Sequence, residues 1–485
     1  MGLQSVLMPN LYLGDVTLGV VYMSGMWVAW QFGLQHDPAK EDHFKALAFT
    51  WMAIALISAL MAFVQFLELA SALNPWVITP TQLHRATANL AQPNNLATFL
   101  LMGVVATVWL YETLAISGTF TTVVIAVLSL GVLSAQSRTA MLSAVGLVII
   151  HYGMLRKNMP IRIQPYKVWL WCAGLIACSW AIKFITTYDE FHLNNAVAFE
   201  GRIIIWKQLL MGLQESPWWG FGWLQTPAAQ QAGALHVIGT EQTTYSHNLV
   251  LDLCVWFGVP AGLLISGVAA VWLLKRWQLA TRARTLMGFA FVLPLGVHSM
   301  LELPFSYAYF LFPAAWVMGM IDRDTSAANQ VVTRFRGRLE SLLAISFVVL
   351  TVWIGLEYIK VEEDFRMARF EKQKINAVPA DYLRPSLVLL TQWRDLLDAM
   401  RIPVARDMRD EQLALLARAS QRFSWLALHF SYSLALDLNG RAPDAARERQ
   451  VIKGLFGPVI YQQVLNDYRA LAETKYPELK AIALE

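Results

Sequence analysis

The residues best suited to chemistry fall in five short polar clusters set among long apolar runs. They are His84-Arg85 with Asn89, Gln92, Asn94 and Asn95; Gln136 to Thr139 around Arg138; Gly201-Arg202; Tyr245-Ser246-His247-Asn248; and His298 with Glu302-Leu303-Pro304. Arginine is a permanently charged fork that grips phosphate oxygens in pairs. Alone, Arg85, Arg138 or Arg202 is an ordinary snorkelling or ion-paired side chain. Three arginines on one pocket would mark a polyanion, with a diphosphate the natural candidate. His247 opens a long apolar run directly after a polar loop, where an imidazole can take a proton near neutral pH. It reads equally as a helix cap or an interfacial residue, but Asn248 beside it and Asp252 five positions on argue for a polar network. A carboxylate as deep in an apolar run as Asp252 needs a partner. His298 and Glu302 are four apart and share a helix face, where they can simply bond to each other.

What must position these groups is a membrane domain. Of 485 residues, 56% are hydrophobic and 15% charged, against about 25% charged in an ordinary soluble domain. That excludes a disordered or disulfide-rich secreted chain and argues against a water-soluble enzyme. Charge is unevenly spread, with 35 of the 72 charged residues in the last 125 positions. Residues 1–360 therefore read as a membrane domain and 361–485 as a soluble helical one. Apolar segments of roughly spanning length fall at 12–33, 46–70, 95–116, 119–136, 139–154, 168–187, 247–274, 285–300, 305–321 and 341–359, an expected ten spans. No charged n-region with a cleavage site precedes the first, which reads as a retained helix. Cys172, Cys178 and Cys254 all sit in apolar stretches and suggest neither disulfides nor a metal site.

Lysine and arginine set the orientation. One set of alternate loops holds 14 of them, including Lys40, Arg156, Lys157, Arg276, Arg284, Arg334 and Arg336, and the opposite set holds Arg85, Arg138, Arg202 and Lys207. The first set is expected to be cytoplasmic. The loops at 71–94, 188–246 and 301–304, and both chain ends, then face the other compartment. An outside amino terminus is what one further helix upstream would explain. All five polar clusters lie on that same outer face.

The long loop 188–246 predicts an amphipathic helix at Gly201–Leu213, with Arg202, Trp206, Leu209 and Leu213 on one face, broken by Pro217, Gly220 and Gly222. Such a helix lies in the interface rather than crossing it, and its neighbours Trp218, Trp219 and Trp223 fit interfacial anchoring. Beyond Lys360, helices are expected at Arg384–Met400, Glu411–Arg422, Trp425–Leu438, Asp444–Lys453 and Val459–Ala472. The turn at Asp437 to Arg441 resembles the middle of one tetratricopeptide-type repeat, and a plain helical domain fits as well. Asp322-Arg323-Asp324 is a weak match to a metal-binding acidic triplet, in a basic loop with no dinucleotide fold near it. Phosphate-binding Walker loops, His-Glu-x-x-His and Gly-x-Ser-x-Gly are absent.

Taken in order, Ser137-Arg138-Thr139-Ala140, the stretch from Gly201-Arg202 through Pro217 to Gly220-Phe221-Gly222, and Ser246-His247-Asn248 resemble the O-antigen ligase/polymerase superfamily. Asn89 through Gln92-Pro93-Asn94-Asn95 to Ala97, and His298 through Glu302-Leu303-Pro304-Phe305 to Phe310, resemble its bacterial protein O-oligosaccharyltransferases of the PglL (pilin glycosylase) type. The resemblance implies an all-α, polytopic inner-membrane protein of a Gram-negative bacterium with its site on the periplasmic face. It implies transfer of a preassembled glycan from undecaprenyl diphosphate to the Ser or Thr hydroxyl of a pilin-like acceptor protein, inverting, without metal or cofactor and without nucleic acid. Arg138, Arg202 and Arg85 would hold the diphosphate, and His247 would deprotonate or orient the hydroxyl. Gln92, Asn94, Asn248, Asp252, His298 and Glu302 would shape the pocket. Lipid A core or the growing glycan are alternative acceptors. Outside the family, a lipid or solute transporter would place its polar groups near the midplane and show internal repeats, and neither is seen; a non-catalytic scaffold is a further alternative.

Overall fold

In a computed structural model, residues 11–35, 42–79, 85–186, 190–326, 338–375, 378–379 and 381–481 are described. Lys40, His84, positions 188–189, Arg334 and Arg336 lie outside the described residues. The described residues are helical throughout, apart from turns and loops. Hydrocarbon offers no water to backbone N–H and C=O groups, so apolar runs pair them internally as helices. In chain order these are α1 (Leu13–Leu34), α2 (Asp42–Phe66), α3 (Pro93–Glu112), α4 (Gly118–Ala135), α5 (Arg138–Arg156), α6 (Pro165–Thr186), α7 (Glu190–Gly212), α8 (Thr226–Ala234), α9 (Leu249–Phe257), α10 (Val259–Leu279), α11 (Ala283–Ser299), α12 (Ala308–Thr325) and α13 (Arg338–Lys372). The carboxy-terminal part adds α14 (Thr391–Arg401), α15 (Asp410–Phe423), α16 (Leu426–Leu438) and α17 (Ala442–Thr474).

Among the described residues, six helices are long and apolar enough to cross a membrane: α2, α3, α4, α5, α10 and α13. The remaining apolar segments are also helical, as α1, α6, α11 and α12, without adding to those six. α3 is the centre of the bundle. Its Leu96, Leu100, Leu101, Met102 and Leu110 are fully buried in a core shared with α2, α4, α5, α11 and α12. By contrast, α10 exposes Leu263, Leu264, Val268 and Leu274, and α13 exposes Leu342, Ile345, Val348 and Val352. Those are the apolar faces a helix presents to lipid.

The single span expected at 247–274 is instead two helices, broken at Gly258, whose φ is +85°. The loop after α7 causes the break by docking against it. Phe221 N donates to Val255 O (2.7 Å), Gly222 N to Trp256 O (3.1 Å), and Val259 N to Pro217 O (2.8 Å). A Cβ at position 258 would lie 2.2 Å from Trp218 O, so only glycine fits there. At the other end of the bundle, ion pairs tie the helices together. Asp322 takes Arg276 (2.5 Å) and the Trp272 indole (3.0 Å), and Asp324 takes the Arg284 fork (2.7 and 2.8 Å). The Lys157 ammonium donates to Trp277 O (2.7 Å) and Ala280 O (2.8 Å). The Asp-Arg-Asp acids thus serve as helix ties.

Toward the carboxy terminus, α13 runs on to Lys372, past the expected end at 359. The helix expected from Arg384 starts only at Thr391. Pro385 disfavours helix in the residue before it, and the N–H groups of Val388, Leu389 and Leu390 bind the Glu357 carboxylate instead. The two helices expected at 444–453 and 459–472 are both present within α17, separated at Gly457, whose backbone is non-helical (φ +80°), just ahead of Pro458. The carboxy-terminal helices pack directly on earlier parts of the chain. Gly14 N donates to Thr391 Oγ1 (3.3 Å), the Gln231 amide to Ser420 O and Gln421 O, and Gly239 N to Gly454 O (2.6 Å).

α1 and α12 meet through a seam of small residues. A Cβ on Gly33 would sit 2.1 Å from Trp316 O, and one on Gly319 would sit 2.1 Å from Trp30 O. Such approach gains dispersion contacts that replace the absent hydrophobic drive between helices in lipid. Replacing Gly319 with Val must push the two backbones apart. Thermal unfolding of the purified protein in detergent is expected to show a loss of about 1–3 kcal/mol, while Gly267→Val, in open space on α10, changes little.

Candidate active site

The polar clusters meet at one end of the bundle around a single carboxylate. Glu302 lies in the turn after α11, with a side chain only 5% exposed. It accepts from Arg202 Nη2 and the Gln92 amide (3.3 Å), and also from the Asn94 amide (3.4 Å). Its Oε2 lies 3.1 Å from His247 Nδ1. Burial alone would raise the Glu302 pKa. The hydrogen bond from His247 and the charge of Arg202 outweigh it and hold the carboxyl below its ordinary value.

The four partners arrive on three separate elements. Gln92 precedes α3 and Asn94 is in its first turn, beside Pro93, whose fixed φ suits a helix start. Arg202 projects from the part of α7 whose Ile205 and Leu209, with Leu213 just beyond its end, are buried against α8 and α9; the helix expected at 201–213 is the last part of a longer one that begins at Glu190. Trp206, one turn on, donates to Ser246 O (2.7 Å) and so fixes the loop that carries His247. His247 itself has φ +60°, a left-handed conformation costing a non-glycine residue about 1–2 kcal/mol. The local network enforces it. Asn248 caps α9 by accepting from Leu251 N (3.0 Å) and donates to Met300 O (3.1 Å), while Ser246 Oγ donates to Asn248 O (2.7 Å). Side chains of Arg202 and His247 keep 32% and 24% exposure, so a ligand can reach both.

The other two arginines stand nearby. Gln136 ends α4 in a left-handed conformation, Ser137 caps α5 by accepting from Ala140 N (3.3 Å), and Arg138 follows, exposed, as the first residue of α5. Arg85 donates to Ala135 O (3.2 Å) at the same turn. Burial lowers the Arg85 pKa, Glu302 opposes that, and the nearby Arg138 charge adds to it, so the three groups share one electrostatic field. His298 is fully buried and bonds through Nδ1 to Thr98 Oγ1 (2.9 Å). It does not pair with Glu302, so its place is structural support between α3 and α11. Asp252 gains the partners it required, Ser246 N (2.9 Å) and Thr226 Oγ1 (3.1 Å).

Gln65 was not singled out from the sequence. Its amide oxygen accepts from Thr87 N (2.9 Å) and Ala88 N (2.7 Å), and its nitrogen donates to Ile78 O (2.7 Å) and Ala88 O (2.9 Å). It pins the loop leading from Arg85 to Gln92. A lone amide near the end of an apolar run was the available signal.

Removing the carboxylate strands a guanidinium and an imidazole. Glu302→Gln is expected to cost about 1–3 kcal/mol near neutral pH, read by thermal or denaturant unfolding in detergent. Because folding depresses this pKa, the wild-type advantage is complete above the unfolded value of about 4.3. It fades as pH falls below that, through the lower folded value, so the two proteins should converge in acid. A gap that persists in acid would remove the carboxylate charge as its cause.

Three family models match the chain in succession: "Protein glycosylation ligase" at residues 86–111, "O-Antigen ligase" at 122–266, and "Virulence factor membrane-bound polymerase, C-terminal" at 286–467. A general O-oligosaccharyltransferase of Acinetobacter baylyi is 31% identical over 327 residues, covering 64% of this chain and 56% of the relative. A ComP-specific O-oligosaccharyltransferase of the same organism is 29% identical over 323 residues, covering 64% and 57%. The chain therefore aligns with little more than half the length of these two relatives. The chain thus resembles the protein glycosylation ligase family at 86–111, the O-antigen ligase family at 122–266 and the membrane-bound polymerase family at 286–467, and the resemblance drawn from its motifs holds.

Proposed function

We propose that this protein is a glycosyltransferase that moves a preassembled oligosaccharide from undecaprenyl diphosphate to Ser or Thr hydroxyls of a pilin-like protein, at the periplasmic face of a Gram-negative inner membrane. The contact between His247 Nδ1 and Glu302 Oε2 carries the reading. An ionised carboxylate only accepts hydrogen bonds, so Nδ1 must hold the proton, which leaves Nε2 as a base toward the acceptor hydroxyl. As that hydroxyl attacks the anomeric carbon, its proton passes to Nε2 and the sugar–phosphate bond breaks, inverting the configuration. Charge then builds on the departing diphosphate. Arg138 and Arg85 stand beside the Glu302 hub, and Arg202 is held in it, to meet that charge without reorganising. Gln92 and Asn94 keep Glu302 aimed, and Asn248 with Asp252 holds the His247 loop.

In this reading the ten apolar segments cross the bilayer, α9 dips from the outer face, and 361–485 is a periplasmic helical domain that helps present the acceptor. Support comes from the lysine and arginine asymmetry and from the clustering of polar groups at one end. The matched O-antigen ligase region favours lipid A core as a second acceptor to test.

The test is transfer in detergent from an undecaprenyl-diphosphate glycan to a pilin, to lipid A core, or to no acceptor, followed by intact mass. A glycan-sized gain on the pilin is expected. His247→Ala should slow it about 10²–10⁴-fold, and Arg138→Ala about 10²–10³-fold. Gain on lipid A core alone would move the acceptor. Undiminished transfer by His247→Ala would remove that residue from the mechanism.

A further inference from the structure

Resting on the reading above, we propose that Asp15 of α1 and Arg422 of α15 are positioning residues for His247, linked to it by hydrogen bonds joined through two peptide bonds, Gln225–Thr226 and Ser246–His247. The two are 407 positions apart in sequence. Arg422 grips the fully buried Asp15 carboxylate with both arms of its fork, at 2.7 and 2.8 Å. The Gln225 amide donates to the same carboxylate at 3.2 Å. Gln225 is the residue before Thr226, the first residue of α8, so this bond fixes the start of that helix. Thr226 Oγ1 accepts from the Trp256 indole (2.8 Å) and donates to Asp252 Oδ1 (3.1 Å), which in turn holds Ser246 N (2.9 Å). Ser246 is the neighbour of His247.

The strained backbone of His247 gives the chain its purpose. A left-handed histidine persists only where its surroundings over-determine it. One side of that restraint is local, through Asn248 and Trp206. The other is Asp252, anchored through α8 to a buried ion pair between the first helix and the soluble domain. Loosening that pair should let α8 shift, relax Ser246, and free the imidazole from its alignment on Glu302. The soluble domain is then part of the catalytic unit.

The experiment compares wild type, Asp15→Asn, Arg422→Lys, Thr226→Val and the Asp15→Asn/Thr226→Val double variant as full-length proteins in detergent. Two readouts are taken. One is kcat and donor KM for glycan transfer; the other is the rate at which diethyl pyrocarbonate modifies His247, followed by peptide mass and independent of activity. Only variants that elute as folded monodisperse protein are compared. If the proposal holds, Asp15→Asn and Thr226→Val each lower kcat by about tenfold or more, with donor KM within about twofold, and change the His247 modification rate severalfold. Arg422→Lys retains part of the rate. The double variant is no worse than the poorer single one, because both cut the same chain. Folded single variants with unaltered His247 modification, or losses that multiply in the double, would overturn it. Wild type that fails to transfer glycan at all would sink the functional reading, while the His247 modification rates would still decide for or against the chain.

Discussion

The geometry of the candidate site depends on one shared carboxylate. Glu302 is nearly buried, and such a charge is costly unless it is paired and its lone pairs are satisfied. Four groups from three separate parts of the chain supply that: Arg202 from α7, His247 from the loop before α9, and Gln92 with Asn94 from the start of α3. Each needs Glu302 where it is, and Glu302 needs all of them. The constraint couples α7, a polar loop and the innermost helix into one constellation, and it dictates which imidazole nitrogen is free.

Much of this was legible in the sequence. Charged and amide residues are rare in apolar segments, so those that occur stand out against a quiet background. All five clusters named from sequence contribute residues to the outer end, and the resemblance to the glycan-ligating families follows from them in order. What the sequence hid was directional. His298 and Glu302 share a helical spacing, yet α11 ends at Ser299, so Glu302 turns toward His247 while His298 stays with Thr98. Spacing predicts neighbours only while the helix lasts.

The rest was hidden because it depends on contacts far apart in the chain. An apolar run cannot reveal that another loop will take its carbonyls, so the break at Gly258 looked like a continuous span. Nothing in the sequence pairs Asp15, near the start of α1, with Arg422, 407 positions on. Gln65 gave no sign of the four hydrogen bonds it makes to the loop above it. Helix ends in the soluble part shifted for the same reason, once Glu357 claimed backbone groups that a longer α14 would have used.

The ties at the opposite end of the bundle have a mechanical consequence. Asp322 and Asp324 lash α12 to α10 and α11, and Lys157 clamps the end of α5 to the turn between them. Ion pairs at a low-dielectric boundary yield little, so these four helices are fastened like the closed end of a clothes-peg. Any parting of the helices wide enough to admit or release a bulky chain has its largest amplitude at the far tips, where the arginines and His247 stand.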